Sequence, residues 1–180
     1  NQFELGFTDE YPQIKSVVWC PGTGNVGFNA LGKVFSGEVN PSGKTPDTFI
    51  YDMTTTPWWN NGEKIEYTNL VDMAVEGMNA GSPQVYAPAF TNYVEGIYVG
   101  YKYYETAAQE GFIDYDKTVQ YPFGYGLSYT EFEQKMGELE EKDGQISVDV
   151  EVTNTGDVAG KDVVEVYYNP PYTNGGIEKA

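Results

Sequence analysis

Ile14-Lys15-Ser16-Val17-Val18-Trp19 turns apolar and β-branched in its second half, the pattern of a buried strand. The run breaks at Cys20-Pro21-Gly22. Phe28, Leu31, Val34 and Phe35 then recur at helical spacing, which predicts a helix from Phe28 to Phe35. Gly37 stands in the C-cap position and closes it. Strand, glycine turn, helix is the order of an α/β layer built on a parallel sheet, and the fold class expected for the first part of the chain is α/β.

Working outward, Asn40-Pro41-Ser42-Gly43-Lys44-Thr45-Pro46 is a rigid turn. A second apolar piece, Thr48 to Tyr51, leads into a long irregular region through Ala89, rich in Thr, Pro, Asn and Gly. Loops of such length are usually functional or cover another domain. Aromatic density peaks between Tyr93 and Glu105, where strand and helix both fit the periodicity. Tyr121 to Thr130 is punctuated by glycine and reads as a strand with turns. After it the composition changes. Gln145 to Thr153 places Ile146, Val148, Val150 and Val152 on one face, as an antiparallel strand does. Asn154-Thr155-Gly156-Asp157 is a turn, and Lys161 to Tyr168 alternates again with Val164 and Val166 on one face. That is the hairpin-like start of an antiparallel β-sandwich, with about three strands present where such a sandwich has roughly seven. The expectation is a truncated domain.

Charge and composition close off several chemistries. Ten basic against 27 acidic residues give a formal charge of −17, so no nucleic acid is expected as a partner, because phosphates require a basic face. An anionic membrane surface is disfavoured for the same reason. No apolar stretch is long enough to span a bilayer and no signal-peptide pattern opens the chain. The acidic run Glu138, Glu140, Glu141, Asp143 reads as a solvated loop or edge. A lone cysteine, Cys20, forbids an internal disulfide and fits a reducing compartment such as the cytoplasm. With no histidine, Ser-His-Asp, Cys-His and His-ligated zinc chemistries are closed. Neither metal nor cofactor is expected.

Gly22-x-Gly24-x-x-Gly27 matches the dinucleotide fingerprint by pattern. The fingerprint also wants an acidic residue about 20 positions on, at the end of a second strand. Asp47 has roughly that spacing but follows Pro46 in a turn, and the rest of the βαβ repeat is missing. The glycines serve better as a tight turn where a helix packs on a sheet. Carboxylates and tyrosines remain for acid/base work, and Glu95, Glu105, Asp114 and Asp116 lie among aromatics. Glycoside hydrolysis needs two carboxyls facing each other across the scissile bond; surface or salt-bridge roles fit these four better. Sixteen Tyr and three Trp are an aromatic surplus, of the kind that fills β-rich cores and also stacks on pyranose faces. The pair Trp58-Trp59, beside Asn60-Asn61-Gly62 in the long loop, is the substrate-binding candidate, since paired indoles beside amides suit a polar substrate with apolar faces. A loop pinned to its own domain by two buried indoles is the other reading, and both stay open.

Several stretches resemble the C-terminal α/β sandwich domain of glycoside hydrolase family 3, the β-glucosidase type. They are Phe28-Asn29-Ala30-Leu31, Ser36-Gly37-Glu38-Val39-Asn40-Pro41-Ser42-Gly43-Lys44, the Tyr93 to Glu105 block and Tyr121-Pro122-Phe123-Gly124-Tyr125-Gly126-Leu127-Ser128-Tyr129-Thr130. Val152-Thr153-Asn154-Thr155-Gly156-Asp157-Val158-Ala159-Gly160-Lys161 resembles the opening of the fibronectin-III-like domain that follows in that family. The match runs in order over nearly the whole chain. It implies two portions: 1–131 as the C-terminal portion of the α/β sandwich domain, and 132–180 as the N-terminal portion of the fibronectin-III-like domain.

The resemblance further implies a retaining β-glycosidase that hydrolyses terminal β-linked glucosyl residues. Its aspartate nucleophile comes from a (β/α)8 barrel and its glutamate acid/base from the α/β sandwich domain. The barrel is not in this sequence, and the acid/base aligns upstream of Asn1, so no catalytic residue is carried over and the chain alone is expected to be inactive. Its expected contribution is part of the β-glucoside cleft and the scaffold. A free-standing carbohydrate-binding or interaction module is the competing reading. A bare strand edge further predicts self-association into a homo-oligomer.

Overall fold

The computed structural model describes residues 2–61, 68–69, 72, 75–79, 82–86 and 90–168, with the backbone alone over 75–79 and 82–86. In chain order the elements are α1 (Phe7–Glu10), α2 (Phe28–Phe35), β1 (Phe49–Ile50), a 3-10 turn (Met53–Thr55), β2 (Val75–Asn79) and β3 (Ser82–Tyr86). After them come α3 (Tyr101–Gln109), α4 (Tyr115–Thr118), β4 (Val119–Tyr121), β5 (Phe132–Lys142) and β6 (Gln145–Asn154).

Helix α2 falls where its apolar spacing places it. Leu31 and Val34 are half-buried, while Phe28 and Phe35 at its ends stay 68% and 65% exposed. The helix stops as Ser36 and Gly37 turn back, their amides donating to the carbonyls of Gly32 and Val34, each at 3.0 Å. The strand expected at Ile14 to Trp19 does not form, and its apolar residues are not buried: Val17 and Val18 are 43% and 48% exposed. A strand needs a neighbour for its backbone N–H and C=O groups, and no segment among the described residues pairs with it. The parallel sheet expected from the strand-turn-helix order is likewise absent among the described residues. Each of the three sheets among the described residues is a two-stranded antiparallel pair: β1 with β4, β2 with β3, and β5 with β6.

The core forms where β1 and β4 meet α3. Ile50, Tyr104 and Val119 are buried together, with Met53, Tyr103, Ile113 and Tyr115 packed against them. Thr48 and Phe49 extend this centre, at 1% and 2% exposure, so the short apolar piece starting at Thr48 is its middle. The N-terminal segment closes one side. Leu5 is buried, and the rings of Phe3, Trp19 and Tyr121 each meet Phe49 edge-on at 5.9–6.5 Å, the geometry that aromatic quadrupoles favour. The Gln2 and Gln120 amides donate to the carbonyls of Thr48 and Leu5 at 2.6 and 3.2 Å. Helix α3 resolves the ambiguous aromatic block: its second half is helical, and Tyr104 and Ala107 face inward.

Hairpin β5–β6 confirms the strand at Gln145 to Thr153 and supplies a partner that periodicity did not reveal. Glu138, Glu140 and Glu141 belong to β5, and Asp143 to the turn that follows. Two residues, Asp143 and Gly144, join the strands with φ of 53° and 75°. Positive φ at both positions is what a two-residue hairpin turn of the type I′ kind requires, and Asp-Gly is the pair that adopts it. Register slips between Met136 and Leu139, a bulge that interrupts apolar alternation in β5. The strand expected at Lys161 to Tyr168 does not form. There the Gln134 side-chain amide donates to Asp162 Oδ2 at 2.6 Å and to the Val163 carbonyl at 3.0 Å, in place of a backbone ladder.

Candidate functional site

The Trp58-Trp59 loop hangs from the 3-10 turn. Asp52 fixes that turn, its Oδ1 accepting from the Thr54 amide at 2.9 Å and the Thr54 hydroxyl at 2.6 Å. These bonds favour the charged form and hold the carboxyl below its ordinary value. Thr56, buried at 6% exposure, donates its hydroxyl to the Met53 carbonyl. The chain then turns with the Trp59 amide on the Thr56 carbonyl and the Asn61 amide on the Trp58 carbonyl. Trp58 is half-buried and Trp59 is 46% exposed. The two indoles therefore differ in exposure, Trp59 offering the larger free surface. Asn61 reaches Glu95, its Nδ2 3.5 Å from Oε2. Gly62 lies outside the described residues.

The four candidate carboxylates differ in their surroundings. Glu105 accepts from the Tyr115 hydroxyl at 2.7 Å. Burial first, and then this bond to a carboxylate, push the Tyr115 phenol above its ordinary range. Asp114 is paired with Lys117, whose ammonium donates to it and holds its carboxyl low. Asp116 stays exposed in α4. Among the described residues, Glu95, Glu105 and Asp114 each meet a different partner, Asn61, Tyr115 and Lys117. No cluster of three or more potential metal ligands occurs among the described residues. The dinucleotide-like glycines precede a helix but follow no strand. A Cβ on Gly27 would lie 2.4 Å from the Thr23 carbonyl oxygen, and Asp47 accepts from its neighbour's amide, Thr48, at 2.9 Å. The motif is a tight turn.

The turn at Asn40 to Pro46 is also a clamp. Asn40 Oδ1 accepts from the Ser128 hydroxyl at 2.9 Å and the Tyr129 amide at 2.8 Å, while its Nδ2 donates to the Ala159 carbonyl at 3.1 Å. Thr45 exchanges backbone bonds with Tyr125 and Gly124, both at 2.8 Å, and its hydroxyl donates to the Pro122 carbonyl at 2.8 Å. Lys44 Nζ donates to the Gly126 carbonyl at 2.8 Å and lies 3.5 Å from Asp162 Oδ1. The Gln134 amide, more than Lys44, holds the Asp162 carboxyl below its ordinary value. Ser42 accepts from the Lys161 amide at 3.1 Å. Residues 40–45 thus hold 122–129 on one side and 159–162 on the other. The sequence signal was a lone lysine inside a polar turn, which names no partner by itself.

No family model matches the chain. Individual relatives do. A β-glucosidase of Ruminococcus albus is 36% identical over 173 residues, covering 95% of this chain and 15% of the relative. β-Glucosidase BoGH3A of Bacteroides ovatus is 36% identical over 173 residues, covering 93% and 19%. Thermostable β-glucosidase B of Acetivibrio thermocellus is 35% identical over 161 residues, covering 86% and 17%. Among solved structures, a β-glucosidase from Paenibacillus barengoltzii superposes with a TM-score of 0.50 at 34% identity, over 72% of this chain and 11% of that one. The chain therefore spans less than a fifth of the length of each. Small antiparallel sheets with helices beside them, and a third of the residues shared over most of the chain, identify it with the C-terminal region of the β-glucosidases of glycoside hydrolase family 3.

Proposed function

We propose that this chain is part of a retaining β-glucosidase that hydrolyses terminal β-linked glucosyl residues. In that enzyme it builds one wall of the substrate cleft and the scaffold behind it. The identity of 35–36% to β-glucosidases along 86–95% of the chain carries the reading. Retaining hydrolysis needs two carboxyls about 5–5.5 Å apart. Glu95, Glu105 and Asp114 are each engaged by Asn61, Tyr115 and Lys117, and the proposal assigns the nucleophile and the acid/base to other parts of the enzyme, as the family resemblance implies. Trp59, the more exposed of the two indoles, is the surface on which a glucosyl ring would stack.

The finer organisation follows the same proposal. Residues 1–131 act as the end of an α/β sandwich domain and 132–180 as the start of a fibronectin-III-like domain, with the clamp at 40–45 joining them. Hairpin β5–β6 has bare outer edges among the described residues, which favours pairing with a second strand system, including another copy. The exposed thiol of Cys20 suits a reducing bacterial cytoplasm.

A chimera tests the function. The chain replaces the matching region of the Ruminococcus albus β-glucosidase, and hydrolysis of an aryl β-glucoside is measured alongside the 180-residue chain alone. Turnover by the chimera and none by the isolated chain is the expected result. A folded chimera without turnover, or turnover by the isolated chain, overturns it.

A further inference from the structure

Helix α3 carries Tyr101, Glu105 and Gln109 at successive four-residue steps, which stacks them along one face. Together with Lys102, Phe123 and Tyr167 they line a groove of about 520 Å³, within the roughly 300–1,000 Å³ of small-ligand sites. The Tyr101 and Phe123 rings lie 4.9 Å apart and 34° from parallel, and Tyr167 meets Tyr101 edge-on at 5.6 Å. Two of the walls are held in place. The Tyr167 hydroxyl donates to Glu165 Oε2 at 2.6 Å, and Glu105 is fixed by Tyr115 at 2.7 Å. Lys102, half-buried, and Gln109 have no hydrogen-bonding or ionic partner among the described residues.

We propose that this groove is a saccharide-binding site that takes a short neutral β-glucan segment such as a cellobiosyl unit. A pyranose presents apolar C–H faces and a rim of hydroxyls that both donate and accept. The groove offers the complement: aromatic rings for the faces, Lys102 and Gln109 as donors, and Glu105 and Gln109 as acceptors. Phosphorylated or carboxylated ligands are disfavoured by Glu105 and Glu165 and by a chain charge of −17. A lipid tail is disfavoured by the charged rim, which it would leave desolvated and unpaired. Only the choice of glucosyl units rests on the β-glucosidase reading.

The test titrates cellobiose into the chain carrying Trp58→Ala and Trp59→Ala, so that the indole loop contributes nothing, with binding followed by calorimetry. Tyr167→Ala is then added, and Gln109→Ala in a separate variant; both positions are exposed, and circular dichroism checks the fold of each. Cellobiose binding should persist without the indoles and weaken about fivefold or more on either added substitution, the scale expected for losing an aromatic or polar contact. No binding in the indole-free chain overturns the proposal, as does binding that Tyr167→Ala leaves unchanged. The two readings fail separately. A chimera that hydrolyses aryl β-glucosides while the groove binds nothing refutes the groove alone, and a groove that binds cellobiose within an inactive chimera refutes the β-glucosidase reading alone.

Discussion

The side-chain oxygen of Asn40 lies 2.8 Å from the amide nitrogen of Tyr129, 89 residues further along the chain. The same amide group bonds Ser128 and Ala159, so one side chain ties three segments that are distant in sequence. Each net hydrogen bond contributes about 1 kcal/mol. Asn40→Ala should therefore cost about 2–3 kcal/mol in urea unfolding. Asn40→Asp keeps the acceptor and loses only the donor to Ala159, so it should cost less. Equal losses in the two variants would place the effect in the turn itself rather than in the contacts it makes.

Asp162 works beside it and brings a pH dependence. Its carboxyl is held below the ordinary value, chiefly by the Gln134 amide and further by Lys44. A depressed folded pKa means stability that is present above the unfolded carboxylate pKa and is lost as pH falls through the folded one. Unfolding midpoints measured from neutral pH down to about pH 3, below the ordinary Asp value, should fall on the acid side. In Asp162→Asn that decline should be shallower. Parallel acid limbs in the two proteins would show that Asp162 contributes no linkage.

Thr48 presents the opposite case. Its residue exposure is 1% and its Oγ1 has no hydrogen-bonding partner among the described residues. A buried unsatisfied hydroxyl costs about 1–3 kcal/mol, and replacing it with an apolar group of the same shape removes that cost. Thr48→Val should leave stability unchanged or raise it by about 1 kcal/mol, read as a higher thermal midpoint. A drop of similar size would mean that the hydroxyl is paired in solution.

How much of this was legible in the sequence differs from place to place. Helix α2 was, because Phe28, Leu31, Val34 and Phe35 already trace one face. Strand β6 was, because its valines alternate without interruption. Its partner β5 was not, because Gly137 and Glu138 sit at a bulge between Met136 and Leu139 and break the alternation. The Ile14 to Trp19 run has the composition of a strand, yet pairing is a property of two segments and only one was visible. Trp58 and Trp59 stand out in the sequence as a pair, but their different exposures cannot be read from it, because exposure depends on what the fold brings beside each ring. The clamp was hidden for the same reason as the strand pairing: Asn40, Lys44 and Thr45 look like ordinary turn residues until Pro122 to Tyr129 arrive beside them.

Gly126 is where that arrival is tightest. A Cβ built there would lie 2.3 Å from the Gly43 carbonyl oxygen and 3.1 Å from Lys44 Cδ. The first of these neighbours is backbone, so it cannot swing aside as a side-chain tip can. Gly126→Ala should destabilise by about 2–3 kcal/mol, the scale of overpacking a close contact. It should also weaken the Lys44 bond to the Gly126 carbonyl. Combined with Lys44→Met, the two losses should be less than additive, since they share one contact. Full additivity would separate the steric clash from the clamp.

The alkaline limb belongs to Tyr104. Burial against Ile50 and Val119, with Asp47 and then Tyr103 adding smaller contributions, pushes its phenol up to about 12. A folded pKa raised above the unfolded value of about 10 leaves the stability contribution intact below pH 10 and removes it as pH rises through 12. Over that window the linked loss amounts to about 2 kcal/mol. Tyr115 and Tyr167 are also raised, so the protein should lose stability progressively above pH 10 rather than at one point. Tyr104→Phe keeps the ring in the core and removes the titrating group. Its unfolding free energy should therefore decline less steeply than that of the parent between pH 10 and 12, and ultraviolet absorbance should show one fewer late-titrating phenol. Identical slopes would mean that Tyr104 ionises freely in the folded state and that the core around Ile50 is open to water.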